Sequence, residues 1–174
     1  MKGVIAYCLS ELVKEKFGKD KWEEALEKAG FTKSTIWGTT VDIDDHKVLN
    51  LVDSVCKVLH ISLVQAADAF GDYWVNVFAP KVYHVFYKRA TSAREMLLMM
   101  NKVHQDVTKN LPNAHPPGFD YEWKDEKTLI MKYKSHRNLI DFVVGLAKGV
   151  GKYYHEDLKV RKISNTAVEI VFPQ

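Results

Sequence analysis

Cysteine is scarce in this 174-residue chain. Cys8 and Cys56 are too few for a disulfide framework or a thiolate zinc cage, so they read as reduced thiols. Long hydrophobic runs are missing too: the longest, Phe142–Ala147, falls far short of the roughly 18 residues of a membrane span. At the N-terminus the apolar stretch Gly3–Leu9 meets Ser10 and Glu11, too soon for a signal peptide. These absences predict a soluble, cytoplasmic protein with no membrane partner. Blocks of one charge are also lacking. The 25 Lys and Arg are interspersed with 22 Asp and Glu, and a net charge of +3 gives no electrostatic footprint for nucleic acid.

What remains is an ordinary globular composition, 47% hydrophobic and 27% charged, without repeat, linker or low-complexity tract. Such a chain makes one domain and buries roughly 70% of its unfolded surface. Its first two thirds carry helical periodicity. Ile5, Cys8, Leu9, Leu12, Val13 and Phe17 share a helix face, with Gly18 as its C-terminal cap. A second helix starts near Asp20 and a third after Asp44. A capping box at Ser62–Gln65 opens a fourth, which Pro80 should stop, and a box at Ser92–Glu95 opens a fifth that runs to about Asn110.

The period then changes to two. Phe119, Tyr121 and Trp123, then Leu129, Met131 and Tyr133, alternate around a turn at 124–127, which predicts an antiparallel hairpin. Asn138 and Asp141 should open one more helix, and two strands near 158–163 and 167–172 close the chain. The order predicts an α+β fold with a four-stranded antiparallel sheet.

Two features invite chemistry. Leu97, Met100, His104, Val107 and Leu111 fall within roughly 80° of arc on one helix, so His104 lies on an apolar stripe. It is either a core histidine satisfied by one hydrogen bond or a neutral imidazole ligand for a heme iron. Tyr133, Ser135 and Arg137 alternate, and on a strand their side chains would leave one face as a row of donors for carboxylates or a phosphate. The alternative is an exposed polar strand face, but the same face runs back through apolar Met131 and Leu129, and a guanidinium there calls for an anion.

An imidazole and an anion row together suit a porphyrin with two propionates. Tyr133-Lys134-Ser135-His136-Arg137 matches the Tyr-x-Ser-x-Arg motif, Leu98–His104 is similar to a proximal helix ending in an axial histidine, and Pro116-Pro117 follows in order. On these residues the whole chain resembles the heme nitric oxide/oxygen binding (H-NOX) domains, the fold of bacterial gas sensors and of the heme domain of soluble guanylate cyclase. The resemblance implies a distal helical subdomain over about 1–62 and a proximal one over about 63–174, with heme b between them. It implies His104 as the iron ligand, propionates on Tyr133, Ser135 and Arg137, and a macrocycle shaped by Pro117 and Ile5. It assigns the distal wall to Ile5, Leu9, Trp74, Phe78, Phe142 and Leu146.

Phe142 stands where oxygen-binding family members carry a tyrosine. A hydroxyl donor stabilises bound dioxygen by about 1.5–3 kcal/mol, whereas nitric oxide gains little. The expected ligands are therefore NO and CO, with the Trp74 indole packing rather than bonding. The resemblance implies a sensor rather than an enzyme, which signals by release of His104 to a separate partner such as a histidine kinase or a cyclic-dinucleotide enzyme. Its rivals are an oxygen-binding member of the family, a peroxidase, and a heme-free module that binds a carboxylate or acyl ligand.

Other motifs carry less. Asp42–Asp45 lacks the glycine of a calcium loop, with Lys47 in its place, and Asp44 reads better as a helix cap. Gly149-Val-Gly151 is no dinucleotide fingerprint, and Gly145 with Gly149 more simply lets a helix approach its neighbour. His155-Glu156 makes no zinc-protease motif, and His46, His60, His84, His115 and His136 have no ligand spacing.

Overall fold

The computed structural model describes residues 1–173 and divides into two compact units, Met1–Ala66 and Ala67–Gln174. The first is built from α1 (Val4–Phe17), α2 (Lys19–Lys28) and α3 (Asp45–Leu59). Gly18 takes φ +95°, which a side chain would strain, and ends α1. Asp44 caps α3 by accepting the Lys47 N–H at 3.2 Å. Leu12, Val13, Leu26, Leu51 and Val55 form the sealed core of this unit, each worth about 1.5–3 kcal/mol of transfer free energy. Residues 38–43 hold the N-terminus in place: Gly3 N–H donates to Val41 O, and Ile43 N–H to Met1 O.

At the start of α4 (Leu63–Tyr73) the capping box is complete: Ser62 Oγ accepts from Gln65 N–H while Gln65 Oε1 accepts from Ser62 N–H. Pro80 does not stop the helical path. Instead α4 runs into a π-helical turn, Trp74–Phe78, and Pro80 sits in the first turn of α5 (Ala79–Val82). A proline there has no N–H to give and would clash with the carbonyl four residues back, and the wider turn relieves both problems. A short α6 (His84–Tyr87) follows, which periodicity did not reveal.

The helix expected from Ser92 to Asn110 is two helices, α7 (Ala93–Leu98) and α8 (Met100–Thr108), broken at Met99. Leu111 therefore lies beyond α8, off the proposed stripe. β1 (Gly118–Trp123) and β2 (Thr128–Lys134) form the expected hairpin, its turn tied by Asp125 accepting from Lys127 and Thr128 N–H groups. α9 (Ile140–Tyr153) precedes β3 (Lys159–Ser164) and β4 (Ala167–Val171), and the antiparallel sheet has the order β1-β2-β4-β3. The fold is α+β. Asn138 does not cap α9; it takes the left-handed conformation at φ +53° two residues before the helix.

Leu129, Met131, Val168 and Ile170 from the sheet pack on Leu97, Ile140 and Ala147 in the core of the second unit. α9 lies against α4 at backbone distance. A Cβ on Gly145 would come within 2.2 Å of Ala67 O, and one on Gly71 within 2.1 Å of Gly145 C. No single helix among the described residues is long and apolar enough to cross a membrane.

Candidate functional site

α8 has alternating polar and apolar faces, yet none of its nine residues is buried. Met100, Val103, His104 and Val107 are all half-buried, so the apolar face of this helix is open. Three rungs hold α7 and α8 to β1 and the loop before it. Tyr121 Oη donates to Leu97 O at 2.9 Å. Asn101 donates through Nδ2 to Phe119 O at 2.7 Å and accepts from Phe119 N–H at 2.9 Å. The third rung joins His104 Nδ1 to Pro117 O at 2.9 Å. Helix positions 97, 101 and 104 thus meet 121, 119 and 117, because three to four helical residues, about one turn, rise about 4.5–6 Å, close to the roughly 6.6 Å of two strand residues.

The chemistry of His104 follows from that bond. A carbonyl only accepts, so Nδ1 carries the proton and Nε2 keeps its lone pair. Burial lowers the imidazole pKa, the bond to Pro117 opposes it, and burial is the larger effect. The ring is therefore neutral near pH 7. Nε2 has no hydrogen-bond partner among the described residues. Since no buried side-chain nitrogen or oxygen among them lacks a partner, Nε2 borders open space. A neutral imidazole with a fixed tautomer and an exposed lone pair is a metal ligand in waiting.

The donor row differs from expectation. β2 ends at Lys134, so Tyr133 is its last inward-facing residue, while Ser135 and Arg137 lie in the turn that follows. Backbone alternation therefore does not align the three, and the turn links only Ser135 and Arg137 directly. Ser135 Oγ accepts from Arg137 N–H at 3.3 Å, and Arg137 Nη1 donates to His115 O at 2.6 Å, two residues before Pro117. Tyr133 is buried, its ring 6.0 Å from that of Phe119, which in turn lies 5.9 Å from the His104 ring. Its hydroxyl also has no partner among the described residues. His104, Pro117, Tyr133, Ser135 and Arg137 thus belong to one neighbourhood.

A second neighbourhood is aromatic. Trp74 stacks on Phe70 at 5.7 Å and tilts on Phe78 at 5.3 Å, and Phe70 meets Phe142 edge-on at 5.6 Å. Trp74, Phe78, Phe142 and Leu146 are all half-buried. The Trp74 ring packs on Phe70 and Phe78, and no acceptor for its indole N–H occurs among the described residues. The first unit carries Ile5, half-buried, and Leu9, buried, one turn apart on α1. Phe70, Phe119 and Asn101 escaped the sequence reading. The first two looked like ordinary core residues, and nothing local marks an asparagine that will bond a strand.

This donor set fits a heme. It offers one neutral imidazole, an unpartnered phenol, a hydroxyl and a guanidinium for acid groups, and half-buried apolar rings that an apolar macrocycle would cover. Among the described residues no group of three His, Cys, Asp or Glu side chains is placed to hold a metal ion, so a bare-metal site has no ligands here.

A profile of the Haem-NO-binding family matches residues 2–162. Among curated proteins, the chain is 23% identical over 173 residues to the soluble guanylate cyclase gcy-35 of Caenorhabditis elegans, covering 97% of this chain and 25% of that one. It is 27% identical to gcy-32 of the same organism over 158 residues, covering 87% and 23%. The chain thus spans about a quarter of the length of these relatives. Among solved structures, an oxygen-binding H-NOX domain related to soluble guanylate cyclases matches with TM-score 0.84 and 22% identity, over 100% of this chain and 96% of that one. An unnatural-amino-acid mutant of Cs H-NOX matches with TM-score 0.89 and 22% identity, over 100% and 97%.

Proposed function

The chain belongs to the Haem-NO-binding family of heme-binding gas-sensor domains related to soluble guanylate cyclase, and on that premise we propose that it senses nitric oxide and reports it to another protein. The bound group is heme b, and when bound it supplies a ferrous iron with a position open to a diatomic gas. His104 Nε2 is the protein ligand, with Nδ1 donating to Pro117 O to keep the lone pair aimed. Tyr133, Ser135 and Arg137 hold the propionates, and Pro117 and Ile5 shape the macrocycle. Ile5, Leu9, Trp74, Phe78, Phe142 and Leu146 exclude water on the gas side.

The observation that carries this reading is the open lone pair of a neutral His104 on a helix with no buried residue. Release of the imidazole from iron would free α8, which is otherwise hung from β1 by the Asn101 bonds and from the loop before it by the His104 bond to Pro117 O, with Tyr121 holding the adjoining end of α7. That makes a two-state element whose balance one ligand bond tips. Selectivity lies with Phe142: a phenyl ring offers no donor to a polar ligand, which favours NO and CO over dioxygen. The output is a partner polypeptide of the histidine kinase or cyclic-dinucleotide class.

Absorption spectra of the ferrous protein test this. NO should give the signature of lost histidine ligation, and air should give no stable oxygen complex until Phe142→Tyr is introduced. A stable oxygen complex in the unaltered protein would favour the oxygen-binding reading instead.

A further inference from the structure

We propose that the exposed stripe of residues 81–89 is a docking site for a protein partner presenting an acidic helix face with an apolar centre. This rests on the reading of the chain as a sensor that reports to another protein.

From Tyr73 to Arg94 the sequence contains no Asp or Glu. Within that stretch Lys81, Val82, His84, Val85, Lys88 and Arg89 are exposed, spread over α5, α6 and the turn that follows α6. Val82 and Val85 are 52% and 46% exposed, rimmed by the cations. Elsewhere surface lysines hold carboxylates, as in Lys148 with Asp68, Lys152 with Asp72 and Lys132 with Glu122. Lys81, Lys88 and Arg89 hold none within 4.0 Å among the described residues, and the Arg89 guanidinium lies over the Phe86 ring at 5.5 Å. The platform is fixed from beneath: Ala79 and Ala90 are buried, and Tyr87 Oη donates to Val75 O at 2.9 Å. Unpaired cations around an apolar pair complement acids around an apolar pair.

Other occupants fit less well. Each cation near an anionic bilayer adds about a fivefold gain, so three give roughly a hundredfold, and two valines without an exposed aromatic anchor add little. A second copy in a symmetric pair would set the same cations against themselves.

The test titrates heme-loaded protein, by fluorescence anisotropy, against a labelled synthetic helix with a leucine stripe flanked by glutamates. A lysine-flanked analogue and vesicles of phosphatidylcholine with an equal part of phosphatidylserine run alongside. The glutamate helix should bind, and the lysine helix should not. Combined Lys81→Glu, Lys88→Glu and Arg89→Glu should weaken binding by at least about tenfold, Val85→Asp severalfold, and the exposed Lys28→Glu not at all. Equal binding by the triple variant, or none by the unaltered protein, overturns the proposal. Vesicle binding that the triple variant loses assigns the stripe to lipid, and a self-association that it loses assigns it to a second copy; either also overturns it. Spectra with and without NO on the same samples keep the two readings apart. A normal NO response with no peptide binding sinks the docking site alone, and a missing heme band sinks the sensor.

Discussion

α8 and α9 are both amphipathic helices of the second unit, and they are held in opposite ways. Eight residues of α9 are buried, and its glycines let it lie on α4 at backbone contact, where any added atom would collide. α8 buries nothing. It hangs from β1 by the bonds of Asn101 and from the loop before β1 by the bond of His104, with Tyr121 holding the adjoining end of α7. Packing of the first kind resists displacement everywhere along the helix, because dense interiors deform little. Directional bonds of the second kind can be broken singly, and the helix moves as a body. An amphipathic helix hung by few directional bonds is the one suited to report on a ligand.

The sharpest way to break this contrast is His104→Gly, which should abolish the heme band in protein purified without added imidazole and restore it when imidazole is supplied. Retained colour without imidazole would remove α8 from the site. Next comes Gly145→Ala, which forces a Cβ to 2.2 Å from Ala67 O. It should cost about 3 kcal/mol and lower the melting temperature by roughly 6–12 °C, measured by circular dichroism. Asn101→Ala leaves the Phe119 N–H and C=O without their partner, at a cost of about 2 kcal/mol. Here the loss should be local: hydrogen exchange should rise along α8 while α9 stays protected, and uniform loosening would erase the contrast.

The smallest effect is a pH dependence. Burial lowers the His104 pKa in the folded state, so below the ordinary imidazole value of about 6.5 the unfolded chain takes up the proton first. Stability of the heme-free protein should be full above that pH and fall as the solution is acidified through it, until the lowered folded value is reached. His104→Gln should flatten this part of the melting curve, and an unchanged slope would point to another group.

Much of this architecture could be read from local patterns. α1 to α3, the Asp44 cap, the Ser62–Gln65 box and the β1–β2 hairpin each depend on residues a few positions apart, where propensity and periodicity act. The misreadings fall where tertiary contacts overrule local preference. Met99 is a good helix former, yet the chain breaks there, where Asn101 two residues on is drawn to Phe119 eighteen positions away. Pro80 reads as a stop, and the π-helical turn carries the chain through it. Tyr133, Ser135 and Arg137 were legible as donors but not as a turn, because alternation continues in the sequence after the strand has ended.

Residue types by themselves thus determined the α+β class and the presence of an imidazole and a donor row, since those depend on composition and short-range order. What only the tertiary structure decided is which imidazole nitrogen is open. That depends on the carbonyl of Pro117, thirteen residues away, taking the Nδ1 proton and leaving the lone pair on the other side of the ring.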